Sequence, residues 1–254
     1  MNPAPFLLTT RGLSWTFPDG NHPILKNLDF SLKPGEFVSV IGRSGSGKST
    51  LLDLINGLLQ HREGRIEKRP GLSMGYVFQR PALLPWKNVL KNTALPLQVH
   101  GVPKTEREQE AIEALDMVGL KYAAKLYPHQ LSGGMAQRVA IARAMVQDPD
   151  LLLMDEPFAS LDPLLRENLN INLLKLWQKT SKTILFVTHS INEAVLMSDR
   201  ILILENGQFL KEFEIDLPRP RNYETPQDPT FLDLVKTIHA FLPEEPNKAR
   251  FVEG

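Results

Sequence analysis

The chain has 254 residues, 29 Lys+Arg against 29 Asp+Glu, and no cysteine. That length suffices for one large or two small domains around a substantial buried core. The balanced charge offers no basic surplus for nucleic acid, and the missing thiols exclude a disulfide framework or a thiolate metal site, which fits a reducing compartment.

The predicted elements run as follows. Met1 to Pro5 shows no basic n-region or long apolar h-region, so no signal peptide is expected. Phe6 to Leu32 alternates and reads as an antiparallel hairpin turning at Pro18-Asp19-Gly20-Asn21. Phe37 to Ile41 is a short apolar run, followed by Gly42-Arg43-Ser44-Gly45-Ser46-Gly47-Lys48-Ser49 and a helix over Ser49 to Leu59. Leu51, Leu54, Ile55, Leu58 and Leu59 form one stripe on that helix. Met74 to Phe78 is the next strand, then Gln79 and an apolar, proline-stiffened stretch, Pro81 to Trp86. Residues 87 to 130 hold no convincing strand. Glu106 to Val118 is helical, with Ile112, Leu115 and Val118 on one face. Leu131-Ser132-Gly133-Gly134 opens a further helix that carries Met135, Val139, Ala142 and Val146 along one face. The runs Leu151 to Met154, Ile184 to Thr188 and Ile201 to Leu204 read as buried strands of a parallel sheet covered on both faces. Pro218-Arg219-Pro220-Arg221 breaks the pattern. Thr230 to Phe241 is a terminal helix, and Pro243 to Gly254 is expected to be disordered. No apolar run approaches the ~18 residues of a membrane span. The chain is therefore read as soluble and cytoplasmic, with any membrane role coming through partners.

Three of these segments carry chemistry. Gly42 to Ser49 fits the phosphate-binding P-loop, in its confirming place between a strand and a helix. Gly42, Gly45 and Gly47 are expected at positive φ, so that successive N–H groups form an anion nest at a helix N-terminus. Lys48 supplies a point charge for β- and γ-phosphates and Ser49 a hydroxyl for Mg²⁺, with Ser44 and Thr50 beside them. Asp155 ends a wholly apolar strand, where a carboxylate is costly unless it faces a metal or partner. Glu156 points elsewhere. Ser132 is placed as an N-cap, and Gly133 and Gly134 expose N–H groups, which makes a second anion site.

Together and in this order, these motifs resemble the ATP-binding-cassette ATPases, from about Leu8 to Leu217. The resemblance implies an α/β fold: a P-loop NTPase parallel-sheet core with an N-terminal antiparallel β subdomain and an inserted α-helical subdomain. The cassette would span 6–217, with the helical insertion at about 87–146 and a C-terminal extension over 218–254. ATP and Mg²⁺ are implied as cofactors. Gly42, Ser44, Gly45, Gly47, Lys48, Ser49 and Thr50 would hold the nucleotide, and Ser49, Gln79 and Asp155 the metal. Glu156 would be the general base, Gln79 would lie near the attacking water, and His189 would touch the γ-phosphate. Ser132, Gly133 and Gly134 would meet the γ-phosphate held by a second subunit. Asp162, in Ser160-Leu161-Asp162, would cross that interface. Phe17 is aligned to stack on adenine, with Trp15, two residues away on the same face, as the alternative. Ser190 stands where an Asp is frequent, and Ala136 where a polar residue is common; neither change removes a catalytic atom.

A finer resemblance rests on Leu83 to Val89, Ala94-Leu95-Pro96-Leu97 and Asp216 to Arg221. It points to importers of nitrate, taurine and aliphatic sulfonates, or of thiamine-pyrimidine precursors. This implies a homodimer or paired cassette and two permease subunits docking near Gln79 to Trp86. It also implies a periplasmic or lipid-anchored solute-binding protein, and a peripheral place on the cytoplasmic face of the inner membrane. Leu83, Leu84 and Trp86 could instead simply pack inside the helical subdomain. A lipid-trafficking or export ATPase shares the catalytic motifs. A repair or translation ATPase would need a long coiled coil or a second cassette, and neither is seen.

Overall fold

The computed structural model describes residues 6–17, 22–159 and 161–242. The hairpin turn at Pro18 to Asn21, Ser160 and the tail from Pro243 lie outside them. In chain order come β1 (Leu8–Thr16), β2 (Pro23–Leu32), β3 (Phe37–Ile41), α1 (Lys48–Asn56), β4 (Glu63–Lys68) and β5 (Met74–Val77). Then follow α2 (Val89–Thr93), α3 (Leu95–Val99), α4 (Lys104–Met117), α5 (Gly133–Met145), β6 (Leu151–Asp155) and α6 (Pro163–Thr180). β7 (Thr183–Thr188), α7 (Ile191–Met197), β8 (Arg200–Glu205), β9 (Gln208–Glu214) and α8 (Pro229–His239) complete the chain.

Two sheets form. β2-β1-β4 is antiparallel, and β5-β6-β7-β3-β8-β9 is parallel except for β9 at its edge. The inner strands of the larger sheet are buried throughout, because helices or the smaller sheet cover both faces. Alternate residues divide between two cores. Phe37, Met154, Phe186 and Ile203 face a core shared with α6, α7 and α8. Val38, Leu153, Leu185 and Leu202 face the other, shared with α1 and the small sheet. A third core joins α2, α4 and α5, with Leu115 fully buried and Ile112 and Val118 packed against it. The expected spacing on that helix therefore holds.

Several boundaries differ from the expectation. α1 stops at Asn56, because Gly57 takes φ 84° and its N–H turns back to Asp53 and Leu54. Leu58 is left 57% exposed, whereas Leu59, beyond the helix end, still packs against the core. β4 and β9 are strands the sequence reading omits. Both are edge strands rich in charged residues, held by backbone pairing and by Ile66, Phe209 and Phe213 packed against the cores.

α8 is docked: Phe231 and Ile238 are buried in the same core as α7. The segment before it carries Arg221, only 4% exposed. Its Nη1 donates to the carbonyls of Val195, Leu196 and Ser198, and its Nη2 to those of Ile215 and Leu217. Burial, and to a lesser degree neighbouring Arg219, lower its pKa to about 10, so it remains a cation at neutral pH. Arg219 lies over the Trp177 ring at 4.2 Å and pairs with Asp199 at 2.6 Å. Arg221→Leu should strand five carbonyls and cost about 3 kcal/mol, or about 6–12 °C in melting temperature for a chain of this size. Differential scanning calorimetry reads this directly; a variant melting with the parent would mean that the guanidinium does not hold these carbonyls.

Candidate functional site

The site grows from strand register. Ile41 of β3 pairs with Thr188 of β7 and Ile203 of β8, and Asp155 of β6 pairs with Val187 of β7. The C-terminal ends of these strands are therefore level, and the loops leaving them share one rim, the usual ligand edge of such sheets.

The loop after β3 turns into α1. Gly45 and Gly47 have φ of 81° and 103°, as expected. Gly42 does not; its need is steric, because a Cβ there would lie 2.0 Å from the Leu204 carbonyl oxygen. Gly47 is also pressed from above, where a Cβ would meet Leu25 of β2 at 2.5 Å. Lys48 is 5% exposed and donates to the carbonyls of Gly42 and Arg43 at 2.9 and 2.8 Å. Its Nζ lies 3.6 Å from Glu156 Oε1. Burial pushes the Lys48 pKa down, and Glu156 and then Asp155 oppose that shift. Ser44, Gly45 and Ser49 are exposed along the same loop, with Thr50 half-buried behind them.

Ser49 Oγ donates to Asp155 Oδ1 at 3.0 Å. Burial raises the Asp155 pKa, and the Ser49 hydroxyl pulls it back. Glu156 leaves the strand at φ 41°, a left-handed geometry that a non-glycine residue holds only under constraint. Its N–H donates to the Val187 carbonyl, which fixes that turn. The turn aims one carboxylate oxygen at Lys48 and the other at His189, whose Nδ1 lies 3.0 Å away. Thr188, Ser190 and Glu193 knit the backbone around His189: Thr188 Oγ1 donates to Glu193 at 2.6 Å, and Ser190 caps α7. Ser190 thus has a local task that an Asp would also perform.

A second group gathers around the starts of α5 and α6. Ser132 Oγ caps α5 by accepting from the Met135 N–H at 3.2 Å, and Asp162 Oδ1 caps α6 through the Leu165 N–H at 3.0 Å. Gly134 packs so closely that a Cβ would lie 2.6 Å from the Leu165 side chain, and one on Gly133 would lie 3.5 Å from Leu161. Ser132 and Gly133 remain exposed. Phe17 is 55% exposed and Trp15 only 8%; their rings meet edge to face at 4.5 Å. Trp15 pairs with Leu25, the residue above Gly47, so the end of β1 overlooks the loop.

Gln79 is exposed just past β5. Its surroundings involve residues the sequence reading missed. Gln137 of α5 donates to the Phe78 carbonyl at 3.4 Å, and Arg143 donates to those of Pro81 and Ala82. Buried Asn92 donates to the carbonyls of Leu84, Lys87 and Asn88 and accepts from the Leu84 N–H. Polar residues inside otherwise apolar helix faces were the available signal. Leu83 packs on the helical core, Leu84 is half-buried and Trp86 is 71% exposed, so the packing alternative holds for Leu83 but not for Trp86.

Hard oxygen donors from Ser49 and Asp155 sit together beside the glycine-rich loop, a set suited to Mg²⁺. Among the described residues no helix is long and apolar enough to cross a membrane.

A family model described as ABC transporter matches residues 25–159. The chain is 44% identical over 238 residues to a nitrate import ATP-binding protein of Synechococcus elongatus, covering 89% of this chain and 36% of that one. It is 43% identical over 232 residues to a taurine import ATP-binding protein of Rhizobium johnstonii, covering 86% and 88%. A solved dimeric ATP-binding cassette in a post-hydrolysis state, bound to ADP and Pi, superposes with a TM-score of 0.73 at 35% identity over 83% of this chain and 100% of that one. The family match spans more than half of the sequence and takes in the loop, Gln79, the Ser132 cap and the Asp155–Glu156 turn: the chain belongs to the ABC transporter family.

Proposed function

We propose that the chain is the ATP-hydrolysing subunit of an importer for nitrate, taurine, aliphatic sulfonates or related small solutes. In this reading two copies close head to tail over two nucleotides. The observation that carries it is the contact line Lys48–Glu156–His189, set beside the Ser49–Asp155 pair. Lys48 already donates to two carbonyl oxygens of its own loop, and phosphate oxygens offer the same acceptors with full charge. Ser49 and Asp155, with Gln79 nearby, would hold Mg²⁺, which would supply positive charge against the charge developing on the phosphate. Glu156 is the general base: its carboxylate is aimed by an unusual backbone geometry and braced by His189. Phe17, propped by Trp15, is the adenine platform.

The exposed Ser132–Gly133 corner completes the site of the opposing copy, a reading supported by the dimeric form of the similar solved cassette. Two permease subunits dock at the Gln79–Trp86 segment, where an exposed indole stands on a loop fastened to α5. A solute-binding protein delivers the solute, and the subunit works at the cytoplasmic face of the inner membrane. The import names of the relatives support this direction.

Three measurements test the reading. Lys48→Ala should weaken ATP binding by about 10- to 100-fold in calorimetry, the worth of charge-assisted phosphate bonds; unchanged affinity would remove Lys48 from the site. Glu156→Gln should keep ATP binding, lower hydrolysis about 10²–10⁴-fold and accumulate an ATP-dependent dimer in light scattering. Turnover at the parent rate would sink its role as base. Trp86→Ser should leave melting and isolated-chain ATPase activity intact, yet weaken copurification with the permease by about 2 kcal/mol. Undiminished assembly would take the indole out of the interface.

A further inference from the structure

We propose that the seam between the end of α4, α5 and α6 is a binding site for a small amphipathic organic anion, distinct from the nucleotide site. A cavity of about 370 Å³ lies there, within the size range of small-molecule sites. Its walls are apolar: Met117 and Val118 at the end of α4, Ile141 on α5, and Leu169, Leu173 and Leu176 on α6. The cationic side chains that line it are Arg138, Lys175 and Lys179. The one carboxylate among its lining residues, Asp116, is exposed to solvent and lies 3.8 Å from Lys121. An apolar chamber beside three cations takes a ligand with an apolar body and one anionic head.

The cations are poised for such a head. Arg138 donates through Nη1 to the Val118 carbonyl at 3.2 Å, while its Nε is buried without a partner. A buried donor left unmade is costly, and a ligand acceptor would satisfy it. Lys175 and Lys179 are four residues apart on one face of α6, where like charges repel, and neither has an ion-pair partner among the described residues. Lys179 also suits the C-terminal turn of its helix, and that local role is separable from ligand binding by experiment.

The location gives the site leverage. Val118 packs against both the helical core and the main core, and Ile141 belongs to the main core although its helix starts at the Ser132 cap. A ligand held there bridges the helical insertion to α6, whose first turn is capped by Asp162.

The test is calorimetry on the full chain with three probes: hexanesulfonate, methanesulfonate as head without body, and hexyltrimethylammonium as body with the opposite charge. Hexanesulfonate should bind saturably at one site, methanesulfonate at least about tenfold more weakly, and the cation not at all. Lys175→Glu with Lys179→Glu should lose at least about tenfold for hexanesulfonate while ATP affinity stays at the parent value. Equal binding of the cation, or undiminished binding to the double variant, would overturn the proposal. So would the absence of saturable hexanesulfonate binding. Should the double variant melt early, Asn172→Trp at the lining serves in its place: it should block hexanesulfonate, and binding that survives it refutes the site.

Discussion

An ammonium group withdrawn from water has to be held by dipoles and opposite charge, and the loop-bearing edge of the larger sheet is organised by that need. Lys48 is enclosed by two carbonyls of its own loop and by Glu156, with Asp155 next in the field. The dependence is mutual. Asp155, buried at a strand end, is costly to ionise and is eased by Ser49 and by the same cation. Neither side of this arrangement is comfortable alone, so β3 and β6 must end at the same level. β7, lying between them in register with both, enforces it.

That balance also explains why Glu156 tolerates a left-handed backbone. The turn lets adjacent acidic residues diverge, one toward Ser49 and the other toward Lys48 and His189. An extended Glu156 would continue the strand and project to the face opposite Asp155, away from the loop. The strain is borne by the Val187 carbonyl bond and by the dense contacts of β7 on either side.

Much of this was legible in the sequence because short motifs encode local geometry: loop, strand end and helix cap each carry their residues within a few positions. The inner strands were legible for the same reason, as unbroken apolar runs. What escaped were features made by distant contacts. Gly42 looked like a conformational glycine, but its constraint is the Leu204 carbonyl, far along the chain. β4 has a single apolar residue, Ile66, and exists as a strand because β1 supplies its hydrogen-bond partners. Gln137 and Arg143 reach residues 59 to 62 positions away, and no spacing rule announces such pairs. Phe17 and Trp15 could not be told apart by periodicity, since both fit one face, and their unequal exposure, 55% against 8%, comes from neighbours distant in sequence.

α5 belongs to two cores at once. Val139 and Ala142 face the helical insertion, while Ala140, Ile141 and Ala144 face the main sheet. Substitutions along it trade volume and are felt on one side. A change of length is different in kind: one inserted residue turns everything beyond it by about 100° and misdirects both faces together. Gln137 and Arg143, which grip the loop after β5, would also lose their common heading. Over evolutionary drift this helix can vary in content but not in count, and alignments of related chains should slip anywhere sooner than here.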